Sequence, residues 1–242
     1  MPPRKGEIEP PRRFYTEAGV ALGETGYELR LDGRVARTPL GRILAAPTRR
    51  LAELVATEWT AQRAFIEFYS MPATRLLHTA IDGVAESRSA TTEAIVRYLA
   101  SDLLCYLAEG PLKLVERQRT AWAPLLAWAE AKLGLVLVQT SGILHRTQPP
   151  ASLERASEIL SELDDFTLAG LAFGSALFGS TVLALALREG RIDGAAAHVA
   201  SRIEEAFQEE RWGVDAEAAA RTALLLRDAL MLESWFGALP ST

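Results

Sequence analysis

Between Tyr27 and Asp32 the chain alternates strictly, with Tyr27, Leu29 and Leu31 apolar and Glu28, Arg30 and Asp32 polar. That two-residue period fits a half-buried strand. Asp32-Gly33 then supplies two residues that tolerate positive φ, so the chain turns back as a tight hairpin. A two-residue loop sets Leu31 opposite Arg34, Arg30 opposite Val35, Leu29 opposite Ala36 and Glu28 opposite Arg37. Cross-strand partners share a face. Tyr27, Leu29 and Ala36 are therefore expected in the core, and Glu28, Arg30 and Arg37 in water. Ile43 to Ala45 can add a short strand before Pro47. Thr48 reads as an N-cap, and Leu51, Leu54, Val55 and Trp59 follow at helical spacing, predicting a helix over about 48–62 that closes the sheet's open face.

From about residue 72 the period changes to that of helices. Ile95, Leu99, Leu103 and Tyr106 mark one helical face, and Leu112, Val115, Trp122, Leu126, Ala129 and Leu133 another, with Pro124 expected to kink the second. Leu135 to Val138 reads as a strand or an extended connection. Ser152 is a candidate cap for a helix through Leu163. Asp193 is a candidate cap for a helix with Ala196, Val199, Ala200, Ile203 and Phe207 on its apolar side. Gly213 breaks the chain and Asp215 can start a final helix, whose segment Leu224 to Leu232 is apolar on several sides and expected to be deeply buried. The fold class is α+β: a small β-rich N-terminal domain (a hairpin-based sheet plus one helix) followed by a larger all-helical domain. The expected division is a flexible leader at 1–13, the β-rich domain at 14–71 and the helical domain at 72–242.

Charge narrows the partners. The net charge is −5. Residues 1–71 hold 11 Lys+Arg against 9 Asp+Glu, and the rest holds 15 against 22, so no basic stripe is available for nucleic acid. The only basic cluster is Arg4, Lys5, Arg12 and Arg13. No apolar run follows it, so it is not a secretory signal, and Glu7 and Glu9 interrupt any transit pattern. A bacterial cytoplasmic location is expected. Phe166 to Leu187 is a 22-residue run without a charge and contains Gly170-x-x-x-Gly174, which raises a membrane span as an alternative. Its glycines, serines and threonines favour instead a buried helix broken near Gly179-Ser180, and no stable membrane insertion is expected.

No catalytic signature is present. His78, His145 and His198 are far apart and lack metal-site spacing. There is no Gly-rich phosphate loop and no nucleophile elbow. Cys105, the single cysteine, reads as a buried inert thiol. Asp102 interrupts an apolar line and reads as a buried structural acid, with Arg75 and Arg97 as candidate partners. An enzyme with dispersed acid/base residues, drawn from His78, Asp82 and Asp102, is the competing reading. No cofactor or metal is expected.

Several segments, in order, resemble a known family. They are Leu31-Asp32-Gly33-Arg34 with Arg37-Thr38-Pro39, Met71-Pro72 with Thr74-Arg75-Leu76, and Thr79-Ala80-Ile81-Asp82. Then come Tyr98 with Asp102-Leu103-Leu104-Cys105-Tyr106, Trp122 with Pro124-Leu125-Leu126 and Trp128, Gly142-Ile143, Gln148, and Phe207-Gln208 leading to Trp212-Gly213. Together they resemble the F1 ATP synthase assembly chaperone family that acts on the alpha subunit, over about residues 14–215. Ala123 departs from the acid that the family often carries there. The resemblance implies a β-rich domain joined to a helical one, mitochondrial-matrix relatives in eukaryotes, and no enzyme activity. It further implies a chaperone that covers the apolar interface of the unassembled alpha subunit until the beta subunit joins. An aromatic beside clustered acids places the expected partner-binding residues at Trp212, Asp215, Glu217, Glu205 and Glu209.

Overall fold

The structure is a computed structural model that describes residues 10–142 and 144–240. The alternating segment is the second strand of a four-stranded antiparallel sheet. Strand β1 (Ala18–Gly23) pairs with β2 (Gly26–Leu31) along its whole length. On the other side β2 pairs with β3 (Arg34–Val35) and β4 (Ala45–Ala46). Asp32, at φ 48, and Gly33, at φ 78, make the predicted tight turn. Arg30 opposite Val35 and Leu31 opposite Arg34 hold as expected.

The register then departs from the expected one. Arg37 pairs with Ile43, and Glu28 faces Ala45 rather than Arg37. The physical reason is a second bend: Gly41 N donates to Thr38 O at 2.9 Å, returning the chain so that β4 takes the place a longer β3 would have filled. This covers Glu28, which is buried and not wet; its charge is met by Arg30 at 2.8 Å. Helix α1 (Arg49–Ala61) closes the sheet with Leu51, Val55 and Trp59 buried, and Thr48 Oγ1 accepts from Leu51 N as its N-cap. Burying these side chains contributes roughly 1.5–3 kcal/mol each.

Compactness divides the described residues into a first unit, 10–83 with 238–240, and a second within 84–237. The expected division lay after residue 71. Helix α2 (Pro72–His78) belongs to the first unit because Glu58 of α1 accepts from Ala73 N, Thr74 N and Thr74 Oγ1, each at 2.7 Å.

The second unit is helical: α3 (Arg88–Ala100), α4 (Leu112–Leu133), α5 (Pro150–Ser161), α6 (Asp165–Phe178), α7 (Thr181–Arg188), α8 (Gly194–Ser201), α9 (Ile203–Trp212) and α10 (Ala216–Ala238). A parallel pair, β5 (Tyr106–Leu107) with β6 (Thr140–Ser141), accompanies them. Leu103 and Tyr106 do not extend α3, which ends at Ala100; a tight turn capped by Asp102 intervenes. Helix α4 runs unbroken through Pro124. Ser152 donates to Val136 O at 2.7 Å and does not cap α5, whose first turn is set by Pro149 and Pro150.

The uncharged run splits into α6 and α7. Gly179, at φ 63, ends the first, and Ser180 Oγ accepts from Leu183 N at 3.0 Å to start the second. Among the described residues no helix is long and apolar enough to cross a membrane. The small residues serve close packing: a Cβ on Gly174 would meet Leu232 Cδ2 at 2.8 Å and Ala184 Cβ at 3.0 Å.

Candidate interaction surface

The acids of the enzyme reading are committed to structure. Asp82 accepts from Thr38 Oγ1 at 2.7 Å and Leu40 N at 3.2 Å, pinning the β-hairpin loop of the first unit. Asp102 belongs to the second unit and is fully buried. Its partners are Ser180 Oγ at 2.7 Å, Leu104 N at 3.1 Å and Val182 N at 3.1 Å, not Arg75 or Arg97. Burial outweighs those donors and pushes its carboxyl up to about 6. His78 is half-buried against Phe68, and loss of water lowers its pKa. Cys105 is buried, and its thiol is pushed up to about 12 by desolvation, which leaves it unreactive. Among the described residues no group of three or more His, Cys, Asp or Glu could hold a metal ion.

The acidic end of the chain is arranged differently. Helix α9 buries Ile203 and Phe207, four residues apart on one face. Trp122 Nε1 of α4 donates to Ala200 O at 2.9 Å just ahead of it. Arg117 of α4 forks onto Glu210 at 2.7 and 2.9 Å, and the guanidinium groups of Arg117 and Arg211 both lie over the Phe207 ring. Trp212 comes five residues after Phe207, which at 100° per residue turns it off the buried face. It is 78 % exposed, and Val214 beyond Gly213 is 52 % exposed.

The five expected contact residues fall into three situations. Trp212, Asp215 and Glu217 share the exposed α9–α10 corner, where Asp215 Oδ1 also caps α10 by accepting from Ala218 N at 2.8 Å. Glu205 is exposed and lines a cavity of about 310 Å³ with Tyr106, Trp122 and Gln208. Glu209 is held by Arg202 at 2.8 Å and is the least available of the set.

Helix α10 carries exposed apolar groups of its own. Leu224 and Leu230 are exposed, whereas Ala229, Met231, Leu232 and Trp235 are buried. The expectation of deep burial from Leu224 to Leu232 therefore holds only for its last turn. Leu224 stands eleven residues before Trp235, which at 100° per residue points it within about 20° of that buried ring. Its exposure therefore marks a stretch of α10 that nothing among the described residues packs against rather than an outward-facing position, and helical spacing alone could not show it. Val214 and Leu224 were not anticipated as surface groups. Exposed apolar groups beside acids suit protein contact rather than covalent chemistry.

Comparison with known proteins bears on what such groups do. The sequence profile described as ATP12 chaperone protein matches residues 12–130. A crystal structure of Atp12 from Paracoccus denitrificans is 39 % identical, with a TM-score of 0.85 over 94 % of this chain and 98 % of that one. The chain belongs to the ATP12 chaperone family. A second solved structure, the Atu1473 protein from Agrobacterium tumefaciens, is 38 % identical with a TM-score of 0.89, over 95 % of this chain and 87 % of that one. Protein atp12, mitochondrial, from Schizosaccharomyces pombe is 28 % identical over 214 residues, covering 84 % of this chain and 74 % of that protein. As an ATP12 chaperone the chain is not an enzyme, and its family serves ATP synthase assembly. The mixed fold, a small antiparallel sheet before a helical region, is that of the ATP12 relatives.

Proposed function

We propose that this ATP12 chaperone binds the unassembled alpha subunit of F1 ATP synthase and covers its apolar interface until the beta subunit joins. An isolated subunit of an obligate complex exposes apolar area that drives aggregation. A chaperone for it must cover that area and then release it, which calls for modest affinity and a wet, polar-rimmed contact. The observation that carries this reading is the exposed Trp212–Val214 corner, followed in the chain by the exposed acids Asp215 and Glu217. Displacement by the beta subunit needs no nucleotide hydrolysis. The cytoplasm of a bacterium is the compartment that fits this role.

The test is capture of purified alpha subunit by the parent chain and by Trp212→Ala, Asp215→Asn and Glu217→Gln. Asparagine keeps the helix cap, so that variant isolates charge. Trp212→Ala is expected to weaken capture roughly 30-fold, as truncating a central aromatic anchor costs about 2 kcal/mol. Its unfolding temperature should stay with the parent because the ring is exposed. Normal capture by all three variants would overturn this placement.

A further inference from the structure

The sheet of the first unit ends in an open edge. Asp32 N donates to Glu17 O at 3.0 Å, which fixes the alternation along β1. In an antiparallel ladder alternate residues spend both main-chain groups on the neighbour. With the observed register, Gly19, Ala21 and Gly23 face β2, and Ala18, Val20 and Leu22 direct their N–H and C=O away from it. Among the described residues β1 pairs with no strand but β2. Free edges are ordinarily blunted with Lys, Pro or a bulge. This one reads Ala-Gly-Val-Ala-Leu-Gly, and Leu22 is 72 % exposed.

A groove runs beside that edge. The side chains of Ala18, Val20 and Leu22 share a face with Leu29 and Leu31, the face that α1 covers. Coverage is incomplete, and a cavity of about 480 Å³ remains, lined by Ala18, Val20, Ala56, Thr57 and Thr60 among others. Arg49 and Glu53 border it but neutralise one another at 2.8 Å. The groove therefore presents no net charge to an incoming chain.

We propose that the outer edge of β1 is a strand-addition site for an extended, uncharged, alternately apolar segment of the client; the client's identity rests on the function proposed above. Three outward pairs of main-chain groups supply the hydrogen bonds, and every second side chain of the added strand enters the groove. A second copy of the chain is the poorer occupant. Two six-residue strands bury far less than the roughly 800 Å² per partner of a stable dimer. A client already held at another surface needs only a weak second site, because tethering raises its local concentration to the order of millimolar.

The test uses a capped synthetic peptide of alternating Val and Thr, added to the full chain and followed by amide exchange. Val20→Pro removes an outward N–H and leaves the β1–β2 ladder intact. Leu22→Lys adds a blocking charge at the exposed end. Peptide is expected to protect the amides of Ala18, Val20 and Leu22, and each substitution to remove the effect without lowering the unfolding temperature. If Val20→Pro fails to fold, Leu22→Lys carries the test. No protection at these amides, or equal protection in the substituted chains, would overturn the proposal. So would protection that depends on protein concentration without peptide, which assigns the edge to a second copy. With alpha subunit as ligand, Val20→Pro is expected to weaken capture about tenfold. A parent chain that binds peptide but captures no alpha subunit would remove the proposed client and leave the edge site standing.

Discussion

Asp102 concentrates two opposing effects in one side chain. Water is lost completely, which favours the neutral acid, while Ser180 Oγ and the N–H groups of Leu104 and Val182 favour the carboxylate. Desolvation wins, so the folded chain binds a proton more readily than the ordinary value of 3.8 allows, up to about 6. The sign follows. This group's contribution is fully present below the unfolded value and is lost as pH rises through the folded one. Taking the difference in stability between the parent and Asp102→Asn, we expect it to move in the parent's favour by about 1.4 kcal/mol from pH 7.5 to pH 5. Urea unfolding of both chains at the two pH values measures it; a constant difference would place the carboxyl's proton outside that window. The sequence revealed Asp102 as an acid in an apolar line. It could not reveal Ser180 as the partner, because 78 residues separate them and the contact exists only once Gly179 has turned the chain.

Elements with local signals could be read from the sequence, and those defined by distant partners could not. Thr48, Asp193 and Asp215 each specify a cap through their own side chain and the next few amides, Asp32-Gly33 specifies a turn by tolerating positive φ, and each stands where expected. Strand β1 has no alternation to detect, since its six residues are small or apolar on both faces. Its existence depends on β2 across the turn. The fourth strand displaced the extended hairpin for the same reason: pairing at Glu28 was settled by a second bend. Glycine at 194 is a further case. A Cβ there would meet Ala229 O at 2.6 Å and Ala229 C at 2.9 Å, backbone atoms of α10 that cannot swing aside. Gly194 N also donates to Glu233 Oε2 at 2.9 Å, which draws the two helices together. Although alanine is the better helix former, Gly194→Ala is expected to destabilise the chain by roughly 1–3 kcal/mol through overpacking. Thermal unfolding gives the answer, and a rise in midpoint would mean that α8 and α10 can separate freely.

At the scale of the whole molecule, an assembly chaperone has to hold its client firmly enough to prevent aggregation and loosely enough to surrender it. Two weak surfaces on one chain meet both demands, because the product of two modest affinities with a local concentration yields a firm hold that fails when either contact is taken over by a competitor. The exposed corner at Trp212 and the open edge of β1 are such a pair, one built from a side chain and the other from main-chain groups. Part of this was legible in the sequence: Trp212 sits off the face defined by Ile203 and Phe207, so its exposure follows from helical spacing. The edge was not legible, because hydrogen bonds left open leave no trace in side-chain pattern. The expected outcome for alpha-subunit capture is specific. Trp212→Ala and Val20→Pro alone each leave measurable binding through the surviving surface, whereas the double variant Trp212→Ala/Val20→Pro loses capture altogether. Competition with beta subunit sharpens the test: each single variant should release alpha subunit at lower beta concentration than the parent does. A double variant that binds as well as the weaker single variant would mean that the two surfaces do not engage the same client molecule.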